Sequence, residues 1–105
     1  MDRRQFLVAS GATACTSLNA RSITHNGVYE QPFWSPNAQR IAVAAKIDEP
    51  HHRIYIMNSD GSNLQPIRQP EGTDNTHPAW SPDGRSIVFT SGKDASGSIY
   101  GFAFA

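Results

Sequence analysis

The chain has 105 residues, with nine Lys or Arg against nine Asp or Glu and therefore no net charge. That balance leaves no electrostatic footprint for nucleic acid or an anionic membrane surface, and the length allows one small domain. The single cysteine, Cys15, excludes an internal disulfide and a zinc site built on paired thiolates, while seven Pro and eight Gly against two Met suit a turn-rich β protein.

Residues 1–20, MDRRQFLVASGATACTSLNA, read as an export signal peptide. Arg3 and Arg4 form a positive n-region, and the apolar run that follows, including Phe6 and Leu7, is too short to cross a bilayer, so no transmembrane span is expected. Ala12-Thr13-Ala14 is a small-x-small cleavage signature, with Leu18-Asn19-Ala20 a poorer second one. The block Arg3-Arg4-Gln5-Phe6-Leu7 resembles the bacterial twin-arginine export signal, with Asp2 and Val8 where that pattern usually carries Ser or Thr and Lys. The resemblance implies an exported, periplasmic protein. Cys15 directly follows Ala14, where a lipoprotein signal places its lipidated cysteine, but Ala12 stands where such signals usually have Leu. Cys15 therefore reads as an ordinary residue of a discarded signal; were it lipidated, the chain would be membrane-associated.

Residues 21–31 are expected to be a linker or lead-in strand. Beyond them the chain repeats itself: PFWSPNAQRIAVAA at 32–45 returns as PAWSPDGRSIVFTS at 78–91. Trp34 and Trp80 are 46 residues apart, as are Pro36 and Pro82, whereas Tyr55 and Tyr100 are 45 apart. A period of this size is near that of four-stranded propeller blades.

The first unit, residues 32–69, divides into four strands. Residues 32–35 form a short strand ending near Trp34. Ser35-Pro36-Asn37-Ala38 is a turn, and residues 40–45 form a second strand that is apolar on both faces, as expected of a strand packed on both sides. Residues 53–58 make a third strand, followed by a hairpin around Asp60-Gly61. Residues 64–68 close the unit as an edge strand, because Pro66 cannot donate a ladder hydrogen bond. After a connecting loop at 70–77, the second unit, residues 78–105, repeats the first strand, the turn Ser81-Pro82-Asp83-Gly84, a second strand over 85–91 and a third strand through Tyr100. It ends without a fourth. In both turns Pro sets the first corner and Asp or Asn bonds back to the backbone. Gly84 accepts a positive φ, which Ala38 tolerates poorly.

These residues resemble the TolB-like β-propeller repeat: Trp80-Ser81-Pro82-Asp83-Gly84, an apolar strand, and Ile54-Tyr55-Ile56-Met57-Asn58-Ser59-Asp60-Gly61-Ser62. The resemblance covers residues 24–105 and implies an all-β partial propeller of about two four-stranded antiparallel blades, the second incomplete. It further implies a non-catalytic protein-binding or scaffold module of the bacterial envelope. Its partners would be envelope proteins such as a peptidoglycan-associated lipoprotein. Similar propellers precede the catalytic domain of prolyl-oligopeptidase-like hydrolases or form oligogalacturonate lyases, which leaves an alternative in which the catalytic residues lie outside this chain. Fewer than two complete blades bury too little surface for a lone propeller. The chain is therefore expected to be a fragment of a larger propeller, a self-assembling subunit, or a small two-sheet protein. The unpaired strand at 99–105 is a candidate for self-association.

No residue set points to catalysis, a metal or a cofactor. His51-His52 follows Pro50 in a loop and reads as solvated, since a metal needs three or four converging ligands. His25 and His77 precede the two Trp-Ser-Pro motifs and read as structural. The acidic residues are scattered over turns, and the serines lack a nucleophile-elbow motif. Trp34 and Trp80 are expected in the core rather than as stacking platforms.

Overall fold

A computed structural model of the chain describes residues 20–93 and 96–104. Its seven strands are β1 (Val28–Trp34), β2 (Arg40–Lys46), β3 (Arg53–Asn58), β4 (Gln65–Pro66), β5 (Asp74–Trp80), β6 (Ser86–Lys93) and β7 (Ser96–Ala103). They form two antiparallel sheets in sequential order, β1-β2-β3-β4 and β5-β6-β7. No helix occurs among the described residues. The protein is a partial propeller of two unclosed blades.

Both first strands begin earlier than Pro32 and Pro78. β1 pairs with β2 from Val28↔Lys46 and β5 with β6 from Asp74↔Gly92, and each ladder breaks at a bulge, between Glu30 and Phe33 and between Thr76 and Ala79. The prolines lie in these bulges. A residue without an N–H interrupts a ladder there without ending the strand. The residues just before them, Gln31 and His77, carry positive φ values of 56° and 55°.

Register assigns each residue to a face. In the first blade Ile41, Val43, Met57, Tyr55 and Trp34 share one face, and Ala42, Ala44, Ile54, Ile56 and Phe33 share the other. In the second blade Ile87, Phe89, Phe102 and Trp80 share one face and Val88, Thr90, Ile99 and Gly101 the other. The blades stack large on small. Trp80 and Ile87 pack on Ala42, while Phe89 packs on Ala44, Ile54 and Ile67. Ile41 through Ala45 are consequently all buried, the two-sided cover expected of β2. Each large apolar side chain so buried contributes about 1.5–3 kcal/mol.

β4 spans two residues rather than the expected five, because Pro66 supplies no donor and Gln69 takes over the edge of β3. The Gln69 side chain accepts from the Ile54 amide at 2.6 Å and donates to the carbonyls of Ile54 and Ile67 at 2.9 and 2.8 Å. A side-chain amide offers the same donor and acceptor as a peptide group, so it stands in for a missing ladder rung.

Candidate functional site

The repeat motifs are turn architecture. Ser35 Oγ donates to Asn37 Oδ1 at 2.8 Å and accepts from the Arg40 amide at 3.0 Å. Ser81 repeats this, donating to Asp83 Oδ1 at 2.6 Å and accepting from the Ser86 amide at 3.0 Å. The Ser81 hydroxyl, then the Arg85 amide, hold the Asp83 carboxyl below the usual carboxylate range. Ala38 and Gly84 occupy the same left-handed corner, with φ values of 61° and 73°. Pro36 lies against Gly84, so the two turns stack. At the hairpin, Ser62 donates to Asp60 through its hydroxyl and its amide, which lowers the Asp60 pKa, and Gly61 adopts φ 89° with the Ile23 carbonyl oxygen in the space a Cβ would fill. Pro36, Pro82, Asp60, Gly61, Asp83 and Gly84 thus hold the strands in place.

What those strands present is a polar strip where β1 and β5 lie side by side. Asp74 Oδ1 accepts from the His52 amide at 2.8 Å and stands 3.2 Å from His52 Nδ1. The amide bond, assisted by the ring, keeps the Asp74 carboxyl below its ordinary range despite partial desolvation. Glu30 Oε1 lies 3.4 Å from His52 Nε2, a buried nitrogen that makes no hydrogen bond, and His51 Nδ1 lies 4.0 Å from Asp74. One step along the strip the His77 amide donates to Gln31 Oε1 at 2.8 Å, and Gln31 Nε2 lies 3.1 Å from His77 Nε2.

His52 is thus not in open solvent as the sequence suggests: its side chain is 15% exposed, wedged between carboxylates from both blades. Asp74 sits at the start of β5, where the loop between β2 and β3 folds back onto it. His77 does not correspond to His25, whose carbonyl merely accepts the Tyr29 hydroxyl at 2.9 Å. Its repeat counterpart is Gln31, which the 46-residue offset would have identified. Among the described residues no three His, Cys, Asp or Glu side chains converge as for a metal ion. The strip instead presents hydrogen-bond donors, acceptors and two half-exposed carboxylates.

A second polar group lies beside it. Arg53 Nη1 donates to Glu71 at 2.6 Å and its Nε is 3.8 Å from Glu49. That hydrogen bond raises the guanidinium pKa and lowers that of Glu71.

The two tryptophans diverge. Trp80 is 7% exposed, stacked on Phe104 at 5.5 Å and capped by the Arg40 guanidinium at 5.1 Å. Trp34, expected in the core, is 52% exposed. The cause is positional: Trp80 lies on the face that meets the first blade, and Trp34 lies on the first blade's opposite face. There it borders a groove of about 360 Å³ with Ile23, Tyr29, Pro32 and Met57. Tyr55 is half-buried on that same face, and burial raises its pKa. Tyr100 stacks on Phe89 at 6.0 Å but stays 45% exposed. Arg3, Arg4, Phe6, Leu7, Ala14 and Cys15 lie outside the described residues.

Comparison with known proteins fits this geometry. The family model described as the TolB beta propeller domain matches residues 12–105. The Tol-Pal system protein TolB of Alcanivorax borkumensis is 35% identical over 90 residues, 86% of this chain and 19% of that protein. Its counterpart in Bordetella pertussis is 45% identical over 49 residues, 46% of this chain and 11% of that protein. A Bacillus subtilis protein described as the peptidase YuxL is 33% identical over 60 residues, 56% of this chain and 9% of that protein. A solved structure assigned to TolB from Agrobacterium tumefaciens superposes with a TM-score of 0.66 at 28% identity, covering 77% of this chain and 28% of its own. The chain spans less than a third of the length of each of these relatives. With its repeated turns, bulged first strands and stacked blades, the chain belongs to the TolB β-propeller domain family.

Proposed function

We propose that the chain is a non-catalytic protein-binding module of the bacterial cell envelope, exported to the periplasm and acting in a Tol-Pal type assembly. The likeness to a Tol-Pal system protein along 86% of the chain carries this reading. The strip of Glu30, Gln31, His52, Asp74 and His77, open through its two half-exposed carboxylates, supplies the binding chemistry: directional hydrogen bonds held by packed strands suit a polar protein surface better than a buried small molecule. The partner class is an envelope protein, with a peptidoglycan-associated lipoprotein the first candidate. Arg3, Arg4, Phe6 and Leu7 would direct export, with cleavage near Ala14 and Cys15. The likeness to a peptidase runs through the propeller repeat and names no reacting residue, so a hydrolase or lyase fragment is the weaker reading.

Titration calorimetry of the mature chain against a peptidoglycan-associated lipoprotein lacking its lipid anchor tests the proposal. Saturable binding is expected, weakened at least about tenfold by a Glu30→Ala, Asp74→Ala double substitution that preserves the fold. Absence of heat at high concentration, or binding indifferent to both residues, refutes it.

A further inference from the structure

Two histidines on the polar strip present the same ring nitrogen to opposite surroundings. The His77 amide can only donate, so the Gln31 atom it meets at 2.8 Å is the oxygen Oε1, and Gln31 Nε2 is left to face His77 Nε2 at 3.1 Å. Gln31 Nε2 carries only hydrogens, so His77 Nε2 must offer its lone pair. The neutral ring then keeps its hydrogen on Nδ1, which lies 3.0 Å from Thr76 Oγ1. At His52, Asp74 Oδ1 accepts the backbone amide at 2.8 Å and stands 3.2 Å from Nδ1. A carboxylate only accepts, so Nδ1 carries the hydrogen here as well. Nε2 of neutral His52 is left with a lone pair 3.4 Å from Glu30 Oε1, acceptor against acceptor, and is buried without a hydrogen bond.

In both rings Nε2 is therefore the nitrogen that takes up a proton. At His52 the proton supplies the missing donor. The imidazolium then bridges Glu30 on β1 to Asp74 on β5, and a charge-assisted bond draws Nε2 and Glu30 in to about 2.8 Å. At His77 the proton sets a second donor against Gln31 Nε2, and that bond is lost. The groups facing His52 are Glu30, Asp74 and the adjacent His51, 4.0 Å from Asp74; the neighbouring Arg53 guanidinium is engaged by Glu71 and Glu49. His77 meets Gln31 from β1 and Thr76 of its own strand.

We propose that the seam between the blades carries a proton-operated exchange of contacts: neutral His77 ties the bulges of β1 and β5 through Gln31, and charged His52 ties Glu30 to Asp74 instead. The signs are opposite. Imidazoles ordinarily change charge between about pH 5 and 8. The His77 contact needs the neutral ring, so its stabilisation is present at the alkaline end of that range and lost as pH falls. The His52 bridge needs the charged ring, so its stabilisation is present at the acid end, where carboxylates are still ionised, and lost as pH rises. One histidine alone would only strengthen or weaken the seam with pH. An opposed pair keeps the blades joined and changes where they are joined. The strip changes with it: Glu30 is open and Gln31 Nε2 occupied at the alkaline end, and the reverse holds in acid. This exchange is internal to the chain and independent of the envelope partner proposed above.

Two double-mutant cycles on the mature chain test the proposal, Gln31→Ala with His77→Ala and Glu30→Ala with His52→Ala, each read by urea denaturation. Between Gln31 and His77 the coupling should be about threefold in the folding equilibrium constant at about pH 7.5 and vanish at about pH 5.5. Between Glu30 and His52 it should grow at least about threefold over the same change. Ring-nitrogen NMR spectra of the wild type need no variant to fold: at the alkaline end both rings should carry hydrogen on Nδ1 and none on Nε2. Couplings that shift in the same direction with pH, or that do not shift, overturn the proposal. So does a hydrogen on Nε2 of either neutral ring.

Discussion

Asn75 is wholly buried at the seam between the blades. Its amide nitrogen donates to Gln69 Oε1 at 2.9 Å and to the Pro70 carbonyl at 3.0 Å, and its oxygen accepts from Thr73 Oγ1 at 3.1 Å. Asn75→Ala removes all three bonds. Thr73 keeps Ser91 and Gln69 Oε1 keeps the Ile54 amide, so the Pro70 carbonyl is the group left short. One under-satisfied buried acceptor, the lost bonds and a small void together cost about 2–4 kcal/mol. The assay is the urea midpoint of the mature chain at fixed protein concentration, multiplied by its slope. Asn75→Asp sharpens the test by facing two acceptors with a carboxyl group. Only the protonated form can still donate, so its pKa in the folded state rises above the unfolded value. Relative to wild type at the same pH, that variant keeps its stability below about pH 4 and loses it as pH rises through the folded pKa. A loss within about 0.5 kcal/mol for Asn75→Ala, or an Asn75→Asp variant that gains stability relative to wild type with rising pH, refutes the seam as described.

Trp80→Ala should cost about 3–5 kcal/mol by denaturation under conditions where the chain is monomeric, and Trp34→Ala less than about 1 kcal/mol; the reverse ranking would mean the faces are misassigned. Gly84→Ala should cost about 1 kcal/mol through its positive φ alone. The added Cβ would meet Pro36 at an ordinary 3.7 Å, so crowding adds nothing. Ala38→Gly should move the midpoint slightly the other way, and identical shifts for the two changes would remove the backbone argument. Asp60, Asp74 and Asp83 all have folded pKa values below their ordinary ones. Their stabilisation is present above the unfolded value and lost as pH falls through the folded one. Acid titration of the midpoint should therefore fall below about pH 4, less steeply in Asp83→Asn, and a midpoint that rises on acidification would contradict it.

The legible parts of this fold are those that local chemistry or the repeat dictates. The turns at Pro36 and Pro82 follow from Pro, Asx and Gly chemistry, and β2 announced its two covered faces through an unbroken apolar run. The starts of β1 and β5 were not legible, because Pro32 and Pro78 look like strand beginnings and are bulges. Trp34 and Trp80 are the same residue in the same motif, so no local pattern separates their burial; only the order of the blades does. The polar strip stayed hidden for a similar reason. Glu30, His52 and Asp74 come from three separated segments, and what joins them is the fold of one blade on the next. Gln69 and Asn75 carry no repeat counterpart of like kind, so the seam they build gave no periodic trace.

Gln31 and His77 occupy equivalent places in successive blades and touch each other. A residue at this position is therefore in contact with its own image. Gene duplication that copies a blade places every such residue opposite itself, and the choice becomes a question of self-compatibility. Glutamine passes, since one amide can donate while the other accepts. A lysine or glutamate would confront a like charge at about 3 Å at each junction, in a strand already held at an unfavourable backbone angle. Divergence of the two copies, glutamine in one and histidine in the other, turns a symmetric contact into a directional one, so that a blade carries a mark of which neighbour it was built to meet.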